Sequence, residues 1–231
     1  MKTCLLAGVL SALAVCAHAQ RPPDDDQLGA WYMYFFQKRF QQSPWGIQGD
    51  YQLRTWNGTN DLEQLLLRTG VTYRPASNDI TFTAGYAFIQ TGDFGESRES
   101  VNESRLYQEA LFPQKLGNRF YLTHRWRFEQ RWVDDQDMRT RIRYNLFVNV
   151  ALNKQVIEKG TLYLALYNEI FVNGQTAIGD GRSVQLFDRN RFYTGLGYGV
   201  SKPLRLQVGW MEQTTAAWSK GQVQISAHHF F

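Results

Sequence analysis

Residues 139 to 153 read Arg-Thr-Arg-Ile-Arg-Tyr-Asn-Leu-Phe-Val-Asn-Val-Ala-Leu-Asn, and this stretch decides the fold. From Ile142 to Leu152 every second residue is aliphatic or aromatic, whereas the residues between them are mostly arginine and asparagine. Successive side chains of a β-strand point to opposite faces. The alternation therefore predicts a strand with one apolar face and one polar, charged face.

The stretch before it divides its residues in the same way, and segments 45–56, 78–91 and 188–201 show weaker versions. One face of the preceding stretch is apolar and the other carries arginine and glutamate. The two sets are Phe120, Leu122, Trp126 and Phe128, and Arg125, Arg127, Glu129 and Arg131. These strands span ~12 to 15 residues, long for a globular sheet but suited to a tilted membrane crossing.

A soluble β-sandwich would also alternate, but its polar face would meet water. The polar face here is poor in lysine and combines arginine with carboxylates, asparagine and tyrosine. An enclosed interior favours that combination, because the guanidinium fork pairs carboxylates through two hydrogen bonds. We therefore expect an all-β protein, a single antiparallel up-and-down transmembrane β-barrel with its apolar face outward.

The sequence divides into eleven strand-like spans. They are 28–40, 44–56, 61–74, 79–91, 103–115, 119–133, 138–153, 160–173, 188–201, 203–214 and 221–231. A single-chain bacterial barrel normally has an even number of strands, so that its first and last strands pair antiparallel. We therefore expect about twelve strands, with ten next. The short connections near 75–78, 116–118 and 201–203 are expected in the periplasm, and the longer ones at 92–102, 134–137 and 173–187 outside.

Both ends of the chain point to export. Lys2, an apolar run from Cys4 to Cys16 and Ala17-His18-Ala19 are typical of a secretory signal peptide. We expect cleavage after Ala19, a disordered polar lead-in over 20–27 and a barrel over 28–231. Cleavage would remove both cysteines. The terminal Phe231 resembles the signal read by the barrel-assembly machinery, and the expected location is the outer membrane, among its lipids.

Several classes of function are disfavoured. The net charge of +4 loses one unit with Lys2 and is too mild to indicate nucleic-acid binding. The adjacent His228 and His229 would face opposite sides of a strand, so they cannot chelate one metal ion together. The acidic segment 134–137 is interpreted as a solvated loop. We expect no metal and no cofactor, and composition leaves the oligomeric state open.

Six segments of the sequence have a distinctive order and spacing. They are 64–74, 85–87, 124–131, 141–144, 168–171 and 188–191, of which His-Arg-Trp-Arg-Phe-Glu-Gln-Arg at 124–131 is the most specific. Together they resemble an uncharacterised bacterial family, domain of unknown function 2490. The resemblance covers nearly the whole chain from Trp31 to Phe231. It implies an outer-membrane barrel and carries no established activity.

The alternation assigns a set of charged side chains to the barrel interior. They are Asp50, Arg54, Arg68, Arg105, Glu109, Arg125, Arg127, Glu129, Arg131, Arg141, Arg143, Glu169, Arg189, Arg191 and Arg205. The first expectation is a structural barrel with a charge-filled, largely closed lumen, since enclosed charges persist by pairing. A small anion-preferring pore is the alternative, because arginine outnumbers acid.

A lipid-modifying outer-membrane enzyme is the alternative from another class. His124 and His229 fall on the outward faces of their strands, where lipid could reach them. Nucleophilic catalysis needs a serine within hydrogen-bond reach of the histidine and a third group that orients the ring. No outward serine lies beside His124, and Ser226 is expected to face inward. The sequence therefore assigns no catalytic residue.

Overall fold

The computed structural model describes residues 27–95 and 97–231, which form eleven β-strands in one closed barrel. The strands are β1 (Gly29–Arg39), β2 (Trp45–Asn57), β3 (Asn60–Tyr73), β4 (Thr81–Gly92), β5 (Ser100–Leu116), β6 (Phe120–Val133), β7 (Arg139–Ala151), β8 (Leu162–Asn173), β9 (Phe187–Gly199), β10 (Leu204–Thr214) and β11 (Ser219–Phe230). The expected signal peptide, 1–19, and the lead-in apart from Gln27 lie outside the described residues. No helix long and apolar enough to cross a membrane occurs among residues 27–95 and 97–231.

The all-β barrel is confirmed, and each of the eleven sequence spans corresponds to one strand whose ends differ by at most three residues. Neighbouring strands from β1 to β11 pair antiparallel in chain order, as an up-and-down barrel requires. The regular alternation of side chains is the reason that sequence locates the strands so closely.

The barrel closes through a parallel seam between β1 and β11. Its register runs from Gly29 opposite Gln222 to Gln37 opposite Phe230, and the Phe231 amide donates to the Gln37 carbonyl at 2.9 Å. One parallel pair lets an odd number of strands close, so the described chain has eleven strands where an even twelve was expected. The backbone groups of both edge strands are satisfied by this pairing, which removes the free edges of an open sheet.

An odd number of strands places the two chain termini of the barrel at opposite ends. We call the end where β1 begins the N-terminal mouth and the end where β11 finishes the C-terminal mouth. The connections expected in the periplasm all lie at the C-terminal mouth, and those expected outside all lie at the N-terminal mouth. Gly58 and Gly117 make tight turns, one at each mouth, with φ of 55° and 56°, a region that glycine adopts without steric cost.

The outer face of the barrel is an apolar surface. Trp126, Ile142 and Leu196 point away from the lumen and are 52%, 47% and 49% exposed. The same outward alternation continues around the strands, from Leu53 and Leu67 to Val208, Trp210 and Ile225. Large apolar side chains therefore cover the outside, where a soluble sheet protein would place charge.

The inner face carries aromatic packing as well as charge. Trp31, Tyr163, Tyr193 and Met211 belong to a buried cluster, against which Tyr167 packs. Glycines on β9 make room for these rings: a Cβ added at Gly197 would overlap the Tyr163 ring. The inward glycines are therefore sites where a ring lies directly on the backbone.

Candidate functional site

The structure places all fifteen charged residues assigned to the interior on the inner face of the barrel. Arg125, Arg189 and Arg205 keep partial exposure, and the other twelve are buried. Tyrosine, glutamine and asparagine side chains fill the spaces between them. The lumen, with its charged lining, is the candidate functional site.

Glu129 is the centre of the largest ion-pair network. It has no exposed surface, and its Oε2 accepts from Arg141 Nη2 at 2.7 Å while its Oε1 accepts from Arg143 Nη1 at 2.7 Å. Arg105 Nη1 lies 3.5 Å from Oε1, and Arg127 Nη1 lies 3.9 Å away. One buried carboxylate thus holds four guanidinium groups from β5, β6 and β7.

Further carboxylates extend the network along the wall formed by β5 to β9. Glu169 binds Arg125 and Arg143, each at 2.7 Å, and Glu109 pairs with Arg127. On the opposite side, Asp50 pairs separately with Arg68 at 2.6 Å. Buried ion pairs of this kind hold side chains in one geometry, because separating them would leave an uncompensated charge.

Two of the lumen acids that the sequence did not predict, Glu63 and Asp188, occupy β-bulges. Opposite Glu63 the register between β2 and β3 shifts, and opposite Asp188 the register between β8 and β9 shifts. Each is the extra residue of its strand, and a bulge re-aims such a side chain. Glu63 accepts from Trp31 Nε1 at 2.6 Å, and Asp188 accepts from Arg141 at 2.7 Å. Strict alternation places both acids on the outer face. The only sequence sign that they turn inward is that a charged residue occupies a position on an otherwise apolar face.

Glu103 and Arg139 also face the lumen, and both could have been predicted from the sequence. Each continues the inward alternation at a strand end, two residues before Arg105 and Arg141 respectively. Glu103 accepts from Arg105 at 2.6 Å and from Arg131 at 2.5 Å. Extending the alternation by one step at each strand end would have included both.

Four lumen arginines make no ion pair with a carboxylate in the described part of the chain. Arg54 donates to Gln52 and Gln64, Arg191 to Gln213, Arg139 to Gln136, and Arg205 to a backbone carbonyl. Across the described lumen, twelve arginines face eight carboxylates. The arginines are 54, 68, 105, 125, 127, 131, 139, 141, 143, 189, 191 and 205, and the carboxylates are 50, 63, 93, 103, 109, 129, 169 and 188.

The space left between these side chains is a cavity of about 830 Å³. Its lining includes Trp56 and Trp218 near the N-terminal mouth and Gln37 and Phe230 near the C-terminal mouth. All eleven strands contribute to the lining. A volume of this size matches the ~300 to 1,000 Å³ of typical small-molecule sites.

The three histidines in the described part of the chain form no recognisable catalytic site. His124, on the outer face, bonds through Nδ1 to the Tyr144 hydroxyl at 2.8 Å and has no serine partner. Ser226 does face inward, and its hydroxyl lies 2.9 Å from His228 Nε2. Within residues 27–95 and 97–231 no third group hydrogen-bonds the His228 ring to orient it. Nor do these residues contain a cluster of three His, Cys, Asp or Glu side chains that could hold a metal ion.

Comparison with known proteins gives a family and nothing more specific. No curated protein and no solved structure matches the chain. One family model, described as a protein of unknown function (DUF2490), matches residues 28–224, which is most of the chain and nearly all of the barrel. The chain therefore belongs to the DUF2490 family of proteins of unknown function.

Proposed function

We propose that the protein is a bacterial outer-membrane barrel whose lumen passes small anions. The apolar outer face supports the membrane location, because large exposed side chains such as Trp126 and Leu196 suit lipid. A signal peptide over 1–19 would direct export, and Phe231 at the C-terminal mouth would be read by the barrel-assembly machinery. On this proposal the C-terminal mouth faces the periplasm and the N-terminal mouth faces outside.

The observation that carries the anion preference is the excess of arginine around a cavity lined from mouth to mouth. Twelve arginines against eight carboxylates leave a positive lining. In a narrow, low-dielectric passage, fixed charges of one sign attract counter-ions and repel ions of the same sign. Because Arg139 and Arg205 lie near opposite mouths without carboxylate partners, small anions would meet a cation at either entrance.

The ion-pair network supports a structural role as the second candidate. Glu129, Glu169 and Glu109 fix arginines along the wall from β5 to β9, which stiffens that half of the barrel. Such a network would hold the passage open at one width in a conducting barrel. In a closed barrel it would form the plug itself.

Conductance in planar lipid bilayers separates the two candidates. The purified full chain should give steady single-channel current, and its reversal potential across a KCl gradient should lie toward that of chloride. Replacing both Arg139 and Arg205 by glutamine should move the reversal potential toward zero. Arg74→Gln is the matched control, since Arg74 is an exposed arginine paired with Asp79 outside the lumen.

Two other results of the conductance experiment would contradict anion passage. A sealed barrel that inserts but gives no current would favour the structural role over passage. Current with a preference for potassium would contradict the anion proposal, because the lining charge would then not control the ions.

A further inference from the structure

Trp31 lies between two arginines inside the lumen. It points inward from β1, is 2% exposed, and donates from Nε1 to Glu63. Arg54 Cζ lies 3.8 Å from the centre of its ring system, and Arg191 Cζ lies 4.7 Å from it. Cations are attracted to the faces of aromatic rings. A single indole therefore brings together guanidinium groups from β2 and β9, which are not neighbours in the sheet.

Burial of these two like-charged arginines close to each other is electrostatically unfavourable. Each is 6% exposed, and within residues 27–95 and 97–231 neither has a carboxylate at ion-pair distance. Burying a charge is unfavourable unless it is paired, and two like charges beside one ring also repel each other. The glutamines that contact them accept hydrogen bonds but carry no compensating charge. Carboxylates lie in the vicinity, with Glu63 on the Trp31 indole nitrogen, but among the described residues none forms an ion pair with either arginine, so a ligand carboxylate would meet two guanidinium groups that have no ion-pair partner.

Arg191 also presents free donors to the cavity. Its Nε donates to Gln213 at 2.7 Å, whereas Nη1 and Nη2 make no hydrogen bond to the described part of the protein. The side chain is held between the Trp31 ring and the Phe171 ring, whose centre is 4.9 Å from Cζ, and it lines the cavity. A guanidinium fixed in this way is ready to bind a carboxylate through two parallel hydrogen bonds.

Flat aromatic surfaces lie beside the two cations. Tyr167 stacks on Tyr193 with ring centres 5.0 Å apart and planes 13° apart, and both belong to or pack on the cluster that contains Trp31. The Tyr167 hydroxyl and the Gln224 amide are hydrogen-bonded at the cavity wall. Of the two rings only Tyr167 lines the cavity, so a ring of a bound molecule could lie against Tyr167 while its acid group reaches Arg191.

We propose that Arg191, Arg54, Trp31 and Tyr167 form a binding site for ring-bearing organic carboxylates within the lumen. The carboxylate binds the Nη groups of Arg191 and compensates the charge of Arg54, and the ring lies against Tyr167. This inference rests on the proposed function and deepens it, since it names a class of solute that the passage would hold.

Titration calorimetry on the full chain folded in detergent micelles tests the site without any measurement of current. Benzoate, which has both a ring and a carboxylate, should bind. Acetate should bind at least about tenfold more weakly because it lacks the ring, and benzyl alcohol should not bind because it lacks the charge. Arg191→Gln should weaken benzoate binding about ten- to hundredfold, the usual loss for a hydrogen-bonded charge pair.

Arg119→Gln is the matched control for the loss of one positive charge. Arg119 has no carboxylate partner among the described residues either, but it lies outside the cavity lining, where it donates to the Ala151, Leu152 and Lys154 carbonyls. Its substitution should leave benzoate affinity unchanged. Arg191→Lys keeps the charge but loses the planar fork, so its affinity should fall between those of the unsubstituted chain and Arg191→Gln. Heat-modifiable gel migration reports whether each variant is folded.

The outcomes are distinct from those of the conductance experiment. Failure of the unsubstituted chain to bind benzoate, or equal weakening by Arg191→Gln and Arg119→Gln, would overturn the site while leaving anion passage intact. If Arg191→Gln fails to fold, the order in which the unsubstituted chain binds benzoate, acetate and benzyl alcohol still tests the proposed site, and any order other than benzoate first contradicts it. Benzoate binding without current would keep the site and reject passage.

Discussion

Arg143 and Glu129 form an ion pair of 2.7 Å between β7 and β6, and the glutamate is fully enclosed. Arg141, Arg105 and Arg127 share the same carboxylate, so replacing it with a neutral amide would leave four buried cations without their common partner. Glu129→Gln should therefore lower the free energy of unfolding by about 3 to 5 kcal/mol, the usual cost of breaking a buried pair. Urea unfolding in micelles, followed by tryptophan fluorescence, measures this change.

The control for Glu129→Gln is Asp79→Asn. Asp79 also pairs with an arginine, Arg74, but its side chain is 73% exposed. An exposed ion pair contributes at most about 1 kcal/mol, so this variant should unfold almost as the unsubstituted chain does. If Glu129→Gln were as mild as Asp79→Asn, the network around Glu129 would have no structural role.

Leu106 tests whether the outer face contacts lipid. It points outward near the middle of β5 and is 46% exposed, whereas Leu116 points outward at the end of the same strand and is 47% exposed. Leu106→Arg should destabilise the barrel in phospholipid vesicles by about 2 to 4 kcal/mol, and Leu116→Arg by about 1 kcal/mol or less, since the cost falls toward the interface. Unfolding in vesicles compares them, and equal effects would contradict a membrane span centred on Leu106.

The alternating direction of the strands predicts which connections are exposed in cells. Since β1 to β8 alternate in direction, an epitope tag before Leu28 should lie at the same mouth as a tag inserted at Gly181 and opposite to one at Gly117. Antibodies added to intact bacteria should bind the first two tags and not the third. An N-terminal tag protected together with Gly117 would contradict this strand order.

The strands and their faces were predictable because alternation is local. The side chains of residues 139–151 divide between lumen and exterior in the structure as they do in the sequence, with Arg141 and Arg143 inside and Ile142 outside. Each assignment needs only the neighbouring residues and the period of a strand. The apolar outside and the arginine-rich inside of the barrel follow from the same pattern.

Pairing between strands was not predictable, because it depends on residues far apart in the chain. The bulges at Glu63 and Asp188 arise from register between two strands, and each turns an acid into the lumen against local alternation. Similarly, Trp31 meets Arg191 only because closure brings β1 near β9.

Period-two alternation in the amino-acid sequence specifies eleven strand-like spans, an apolar exterior and a charged interior, because it records the face of each residue. The parallel pairing of β1 with β11, the partners of each carboxylate, and the lack of an ion pair for Arg54 and Arg191 among the described residues are visible only in the folded barrel. Barrel closure fixes the register of all strands together, and no single strand carries that information.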